Sequence, residues 1–209
     1  MELLNQKNNF TQINNDISMG RVAVVDDFFT ENTAEELRER MVYGWVYDNY
    51  FKGGYKAKHY DTSDSITNQL AKELKEKLPV LAEFQRAWSF IYNNKSSGVN
   101  FHADPSNVNL NCWVTPNESV NNFLLNGLLI CNKKPPENWT RKEWNQNKDG
   151  IVDKFIEENE VDIVDVKYKY NRAIFFDGAC FHKTNNVDMK LGLNNRRVSY
   201  TMLFGRTLE

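Results

Sequence analysis

The chain has little of what marks several protein classes. It carries only three cysteines, Cys112, Cys131 and Cys180, an odd number at wide, irregular spacing with no CxxC pair. That is no disulfide framework, and it reads as reduced thiols in an intracellular, cytoplasmic protein. Long apolar runs are absent as well. The longest, Phe123 to Cys131, is broken by Asn126 and Gly127 and is far too short to span a membrane. Met1 to Lys7 lacks a charged segment followed by an apolar one, so no secretory signal is expected. Charge of one sign is missing too: the formal net charge is −2. In the lysine-rich stretch Lys72 to Lys77 acids interleave with the bases, which marks a solvated helix face. A sequence-independent nucleic-acid binder needs a broad basic footprint, so nucleic acid is not an expected partner. There is no internal repeat, and only three histidines.

What is present is a globular chain. Hydrophobic residues at 41% and 209 positions suffice for one domain with a real core and room for an inserted segment. We expect a single domain over 1–209, with 1–86 as an α/β support region and 87–206 as the main β unit, interrupted by an insertion at 132–160. Residues 1–20, rich in Asn and Gln, read as a loose lead-in. Val22 to Phe29 reads as a buried strand, followed by a helix capped by Thr30 and running to about Val42. A glycine-punctuated loop crowded with tyrosines follows. Ser65 opens a second helix whose Leu70, Leu74, Leu78 and Leu81 form a core face, with Pro79 near its end.

From Ala87 the pattern becomes short strands separated by turn residues: Trp88 to Tyr92, Val99 to His102, Val108 to Thr115, Phe123 to Cys131, Val161 to Val166, Arg172 to Phe176 and Val198 to Phe204. This is a mainly β protein with flanking α elements, a sandwich or open barrel with helices on one side. The insertion, with Pro135-Pro136 and mixed charges, reads as partly helical, either a binding loop or surface decoration.

Three residues stand out chemically. His102 and Asp104 form a His-x-Asp pair, and His182 follows far downstream. Two histidines and a carboxylate suit non-haem Fe(II), because three protein ligands on one face of an octahedron leave three positions open. Residues i and i+2 of a strand share a face, so His102 and Asp104 can grip one ion. His59, in a polar setting, reads as a surface residue. Near the end, Arg197 and Ser199 also stand at i and i+2, and an arginine–hydroxyl pair can hold one carboxylate. Arg196 is the alternative if the strand register is shifted by one.

Together these residues resemble the Fe(II)/2-oxoglutarate-dependent oxygenase superfamily, of prolyl-hydroxylase-like or phytanoyl type. The resemblance covers Trp88 to Arg206. It rests on Phe90-Ile91-Tyr92, Gly98, His102-Ala103-Asp104, Asn109 to Pro116, Gly127 to Ile130, Asn171 to Phe176, His182 and Arg197-Val198-Ser199. It implies a double-stranded β-helix (jelly-roll, cupin-like) core with the N-terminal helices packed on one sheet. It implies Fe(II) held by His102, Asp104 and His182, and 2-oxoglutarate and O2 as co-substrates, with the distal carboxylate of 2-oxoglutarate on Arg197 and Ser199. Tyr92 matches a position from which a tyrosine contacts the co-substrate, although a plain core tyrosine reads equally well. The long gap between the histidines and the long His182-to-Arg197 interval depart from prolyl hydroxylases. The second arginine of the nucleic-acid demethylating branch is replaced by Leu203 or Met202. The retained Asp104 implies hydroxylation rather than halogenation.

The substrate is read less closely. Asn109, Asn111 and Trp113 share one strand face, and Leu110, Cys112 and Val114 the other. Either face could meet the site, with Asn111 a candidate contact. A small polar metabolite, an amino acid or a peptide side chain fits. Tyr47, Tyr50, Tyr55 and the insertion could close over it. The alternatives are a non-catalytic cupin-like binding protein and a metal dioxygenase that uses no 2-oxoglutarate. Oligomeric state is not legible.

Overall fold

The computed structural model describes residues 2–44, 47 and 49–206. Its first element corrects the expected loose lead-in. Residues Phe10–Ser18 form a helix, α1, capped by the Asn9 side chain accepting from the Gln12 amide. Phe10, Ile13 and Ile17 recur at helical spacing and join the main core with Leu3 and Leu4. The apolar stripe is narrow and the remaining positions are mostly amides, which is why composition hid it.

The strand expected over Val22 to Phe29 is only β1, Ala23–Val25. Asp27 adopts φ 50° and turns the chain, so Phe28 and Phe29 enter the core outside a ladder. Helix α2, Glu31–Glu39, is capped by Thr30 as its sequence predicts, and a π-type turn, Arg40–Gly44, extends it. The glycine-rich stretch beyond is not a loop. Strands β2 (Asn49–Phe51) and β3 (Tyr55–Tyr60) form a hairpin, with Gly54 in the left-handed region at its turn. Helix α3, Ser65–Lys77, is capped by Asp64 and stops before Pro79. Leu70 and Leu74 are fully buried, each contributing about 1.5–3 kcal/mol by burial.

The strands that follow are β4 (Phe84–Tyr92), β5 (Lys95–Ser96), β6 (Val108–Trp113) and β7 (Leu128–Cys131). After helices α4 (Arg141–Gln146) and α5 (Ile151–Glu158) come β8 (Ile163–Val166), β9 (Arg172–Phe176), β10 (His182–Thr184), β11 (Val187–Asp188) and β12 (Val198–Phe204). Two expectations shrink. Val99 to His102 is not a strand; among the described residues its one ladder contact is a bridge between His102 and His182. Phe123 and Leu124 lie exposed in a loop before β7.

A seven-stranded sheet runs β1-β9-β6-β12-β4-β3-β2, and a three-stranded sheet runs β10-β7-β8. The described pairs are antiparallel. This is a double-stranded β-helix with helices on one face. Period-two alternation assigns the faces. Val198, Tyr200, Met202 and Phe204 of β12, like Leu110 and Cys112 of β6, join the helices in the main core. The opposite face meets the small sheet through a second cluster that includes Tyr92, Trp113, Leu128, Ile130, Ile174 and Phe176. Arg197, Ser199, Asn109 and Asn111 share the parity of that inner face.

The insertion is partly helical, as expected, and has a core of its own. Trp144 and Val152 are buried against Phe101, Ala103 and Phe181, with Trp139 and Phe155 packed on them. These contacts flank His102, Asp104 and His182 along the chain. Among the described residues, no helix is long and apolar enough to cross a membrane.

Candidate metal centre and cavity

His102, Asp104 and His182 converge although His182 comes from a separate strand, β10. One ligand atom from each falls within 4.8 Å of the others. His182 Nε2 stands 3.5 Å from Asp104 Oδ2, and His102 Nε2 stands 4.0 Å from Asp104 Oδ1. The His102–His182 bridge, with amide–carbonyl bonds of 3.0 and 2.8 Å in the two directions, ties the two histidine backbones together. Strand periodicity is therefore not what pairs His102 with Asp104. An irregular segment does so, with His102 clipped to β10 and the Asp104 amide donating to the Gly178 carbonyl at 2.8 Å.

Both imidazoles are oriented from behind. His102 Nδ1 lies 2.8 Å from the Asn100 carbonyl and His182 Nδ1 lies 2.9 Å from the Cys180 carbonyl. A carbonyl only accepts, so each Nδ1 carries the proton and each Nε2 presents its lone pair toward the other donors. Burial, with the neighbouring His182, pushes the His102 pKa down to about 4, although Asp104 opposes this. Burial raises the Asp104 carboxyl, but the adjoining His182 and His102 rings and the bond donated by Asn109 outweigh it and hold the group down at about 2. His102 is thus neutral and Asp104 ionised near neutral pH, the forms that bind a cation.

Asn109 reads by sequence as a residue that could meet the site, without a role toward Asp104, while Asn145 and Gly178 escaped the sequence reading. Asn109 Nδ2 donates to Asp104 Oδ2 at 2.7 Å, and its own Oδ1 accepts from Ser106. Asn145, from the insertion, reaches Ala103 O at 2.9 Å and Asp104 Oδ1 at 3.4 Å. Gly178 leaves room for this arrangement, since a Cβ there would lie 2.0 Å from Ser106 Oγ and 2.6 Å from Asn109 Oδ1. The i+2 parity of Asn109 with Asn111 hinted at the first; the other two depend on long-range approach.

Arg197 is completely buried. Its Nε donates to the Asn126 carbonyl at 2.8 Å, while Nη1 and Nη2 are buried with no hydrogen-bond partner among the described residues. Asn126 presents that carbonyl from a left-handed conformation, φ 68°. The guanidinium lies over the rings of Tyr92 and Trp113, 4.6 and 5.3 Å from their centroids. Ser199 is buried on the same strand face, and Arg196 is only partly buried. Tyr92 is buried, its hydroxyl 3.1 Å from Thr184 Oγ1. Asn111 Nδ2 donates to Thr201 Oγ1 at 3.2 Å, and Asn111 Oδ1 and Trp113 Nε1 are buried without partners among the described residues.

A cavity of about 670 Å³ opens beside the triad, bordered by His102, Asp104, His182, Tyr92, Asn111 and Thr184 and by Asn145 of the insertion. Of the tyrosines considered as a cover, Tyr55 lines this cavity, stacked on Phe51 at 4.6 Å. Tyr47 is buried and bonds the Met41 carbonyl, while Tyr50 points into solvent. His59 is exposed, as expected, but sits on β3 against Trp88 rather than in a loop.

No protein-family model and no curated relative matches the chain. Solved structures match its fold throughout. A prolyl-4-hydroxylase from Pseudomonas putida is 13% identical, covering 95% of this chain and 99% of its own, with TM-score 0.54. The α-ketoglutarate-dependent epimerase SnoN of nogalamycin biosynthesis is 14% identical, with coverages of 94% and 83% and TM-score 0.63. HygX from Streptomyces hygroscopicus, with nickel and 2-oxoglutarate bound, is 10% identical, with coverages of 94% and 87% and TM-score 0.60. The chain therefore has the double-stranded β-helix fold of the 2-oxoglutarate oxygenases.

Proposed function

We propose that the protein is an Fe(II)- and 2-oxoglutarate-dependent oxygenase, a single catalytic domain that hydroxylates a C–H bond of a small metabolite, amino acid or peptide side chain. The observation that carries this reading is the Arg197 guanidinium, buried with two nitrogens that have no partner among the described residues, on the sheet face it shares with Asn109, which bonds Asp104 of the His-Asp-His cluster. An unpaired buried cation costs several kcal/mol, and a bound carboxylate would relieve that cost through charge-assisted bonds. The donor set fits Fe(II), and the orphaned donors fit a dicarboxylate anchored at its far end.

His102, Asp104 and His182 would hold the metal through Nε2, a carboxylate oxygen and Nε2. Asp104 also cancels one unit of its charge. Asn109 and Asn145 fix the Asp104 rotamer, and the two Nδ1–carbonyl bonds fix the imidazoles. Arg197 and Ser199 would bind the distal carboxylate, and Trp113 Nε1–H is a further donor. Tyr92 forms the wall between them and Thr184, and Asn111 Oδ1 is left to accept from a substrate. When bound, iron and 2-oxoglutarate supply the oxidising equivalent from O2, with succinate and CO2 as co-products. The protein's part is to orient the reactants and keep bulk water out. Hydroxylation is our choice because Asp104 occupies the position that halogenases of this class vacate for halide. That SnoN is an epimerase indicates that the fold hosts other outcomes.

The test is anaerobic spectroscopy. Fe(II) plus 2-oxoglutarate should give a weak visible charge-transfer band in the wild type, lost in His102→Ala and weakened in Arg197→Ala. An iron-loaded wild type without the band sinks the co-substrate assignment.

A further inference from the structure

The cavity has an uneven charge distribution that the metal site and Arg197 do not use. Apart from the ligands His102, Asp104 and His182, its charged border residues are Lys52, Arg86 and Arg141, all basic. The side chains of Arg86 and Arg141 have no ion pair or hydrogen bond among the described residues, although acids make up 28 of the chain's residues.

Strand register locates them. Arg86 of β4 pairs with Leu203 of β12, which pairs with Asn109 of β6, which pairs with Phe176 of β9. That row borders the metal ligands: Asn109 bonds Asp104, and the Phe176 ring lies 4.8 Å from that of His182. Tyr92, the β4 residue beneath the Arg197 guanidinium, is six positions further along, about 20 Å at strand rise. Arg86 is therefore too far to share the anion that Arg197 awaits. Arg141 opens α4, one turn before Asn145, so both lie on the helix side that meets Asp104. Between these cations and Arg197, the inner face offers Trp88, Phe90 and Tyr55, with Trp88 and Phe90 stacked at 6.3 Å.

We propose that the substrate to be oxidised is a small molecule with a flat apolar body and one anionic group, carboxylate or phosphate. The body lies on Trp88, Phe90 and Tyr55, and the anion is held by Arg86 and Arg141 at the Asp104 end of the cavity. This rests on the reading of the cavity as a reaction site and gives its substrate class. A volume of about 670 Å³ suits such a ligand. The insertion is then a fixed specificity wall, carrying Arg141 into the site on the same helix that steadies Asp104.

Binding of 3-phenylpropionate, phenyl phosphate and the neutral 3-phenylpropanamide, followed by quenching of tryptophan fluorescence in protein supplied with Ni(II) and saturating 2-oxoglutarate, tests this. At least one anion should bind about tenfold or more tighter than the amide, as charge-assisted bonds require. Which anion binds tighter distinguishes carboxylate from phosphate. Arg86→Gln and Arg141→Gln should each erode that preference, and the double variant should abolish it, with unchanged thermal melting as the control for folding. Equal binding of anion and amide, no binding of any probe at millimolar concentration, or a preference that survives the double variant but vanishes in Arg197→Met would overturn the proposal. The charge-transfer band is read separately. A preference without the band retires the oxygenase reading alone, and a band without the preference retires this one alone.

Discussion

Replacing Arg197 by methionine separates a binding role from a structural one, because the two predict opposite patterns. Methionine fills similar volume without charge. It removes a guanidinium whose Nη1 and Nη2 are buried and unpartnered among the described residues; replacing even a buried ion pair with packed apolar groups is often neutral or stabilising by about 1–4 kcal/mol, and an unpaired ion has less attraction to lose. Against this stand the lost bond from Nε to Asn126, about 1.5–3 kcal/mol for a charged donor, and the contacts over Tyr92 and Trp113, roughly 0.5–2 kcal/mol. These contributions nearly cancel, so the free variant should melt within a few degrees of the wild type. The response to ligand should differ sharply. At a hundredfold excess over Kd, ligand stabilises by about 2.7 kcal/mol, and a chain of this size shifts by about 2–4 °C per kcal/mol. With Ni(II) as a redox-inert metal, 2-oxoglutarate should therefore raise the wild-type melting temperature by roughly 5–10 °C, and the variant's hardly at all. A free variant destabilised by more than about 3 kcal/mol, yet still responding fully to 2-oxoglutarate, would show that Arg197 is a packing element and refute the reasoning.

Asn145→Ala removes a brace on Asp104 contributed by the insertion and should weaken metal binding about 10–100-fold, measured by Ni(II) titration calorimetry. Gly178→Ala forces a Cβ into Ser106 and Asn109 and should cost about 1–3 kcal/mol in urea unfolding, together with reduced metal affinity. For pH, the folded His102 pKa lies below its unfolded value, so the folded chain binds fewer protons between about 4 and 6.5. The stability this group contributes is complete above 6.5 and is lost as pH falls toward 4. The metal-free wild type should lose roughly 3 kcal/mol over that window and His102→Gln much less, checked by denaturation at pH 7 and pH 4.5.

The sequence was most legible where chemistry fixes residue type and where strand alternation holds. Arg172 to Phe176 and Val198 to Phe204 are strands with those bounds, and in the extended residues leading into β12 Arg197 is buried while Arg196 is only partly so, in line with a period of two. The triad was legible because histidine is scarce in this chain. Its local geometry was not, because His102 stands on no strand and is placed by one bridge to His182. Helix α1 was hidden by amides around Phe10, Ile13 and Ile17, and the β2–β3 hairpin by glycines that in fact form its turn and the approach to Gly98. Asn145 could not be assigned at all. Its partner Asp104 is 41 residues away, and they meet through the packing of Trp144 against Phe101 and Phe181 together with the Ala103 amide bond to the Trp144 carbonyl.

The central claim is tested most directly by turnover. Aerobic wild type supplied with Fe(II) and 2-oxoglutarate should release CO2 and form succinate in equal amounts, even without its substrate, at a slow uncoupled rate. That turnover should stop in His182→Ala and rise when a true substrate is added. Iron and 2-oxoglutarate bound with the charge-transfer band present, but no succinate formed with or without small aromatic anions, would contradict the account and leave a binding protein built on an oxygenase fold.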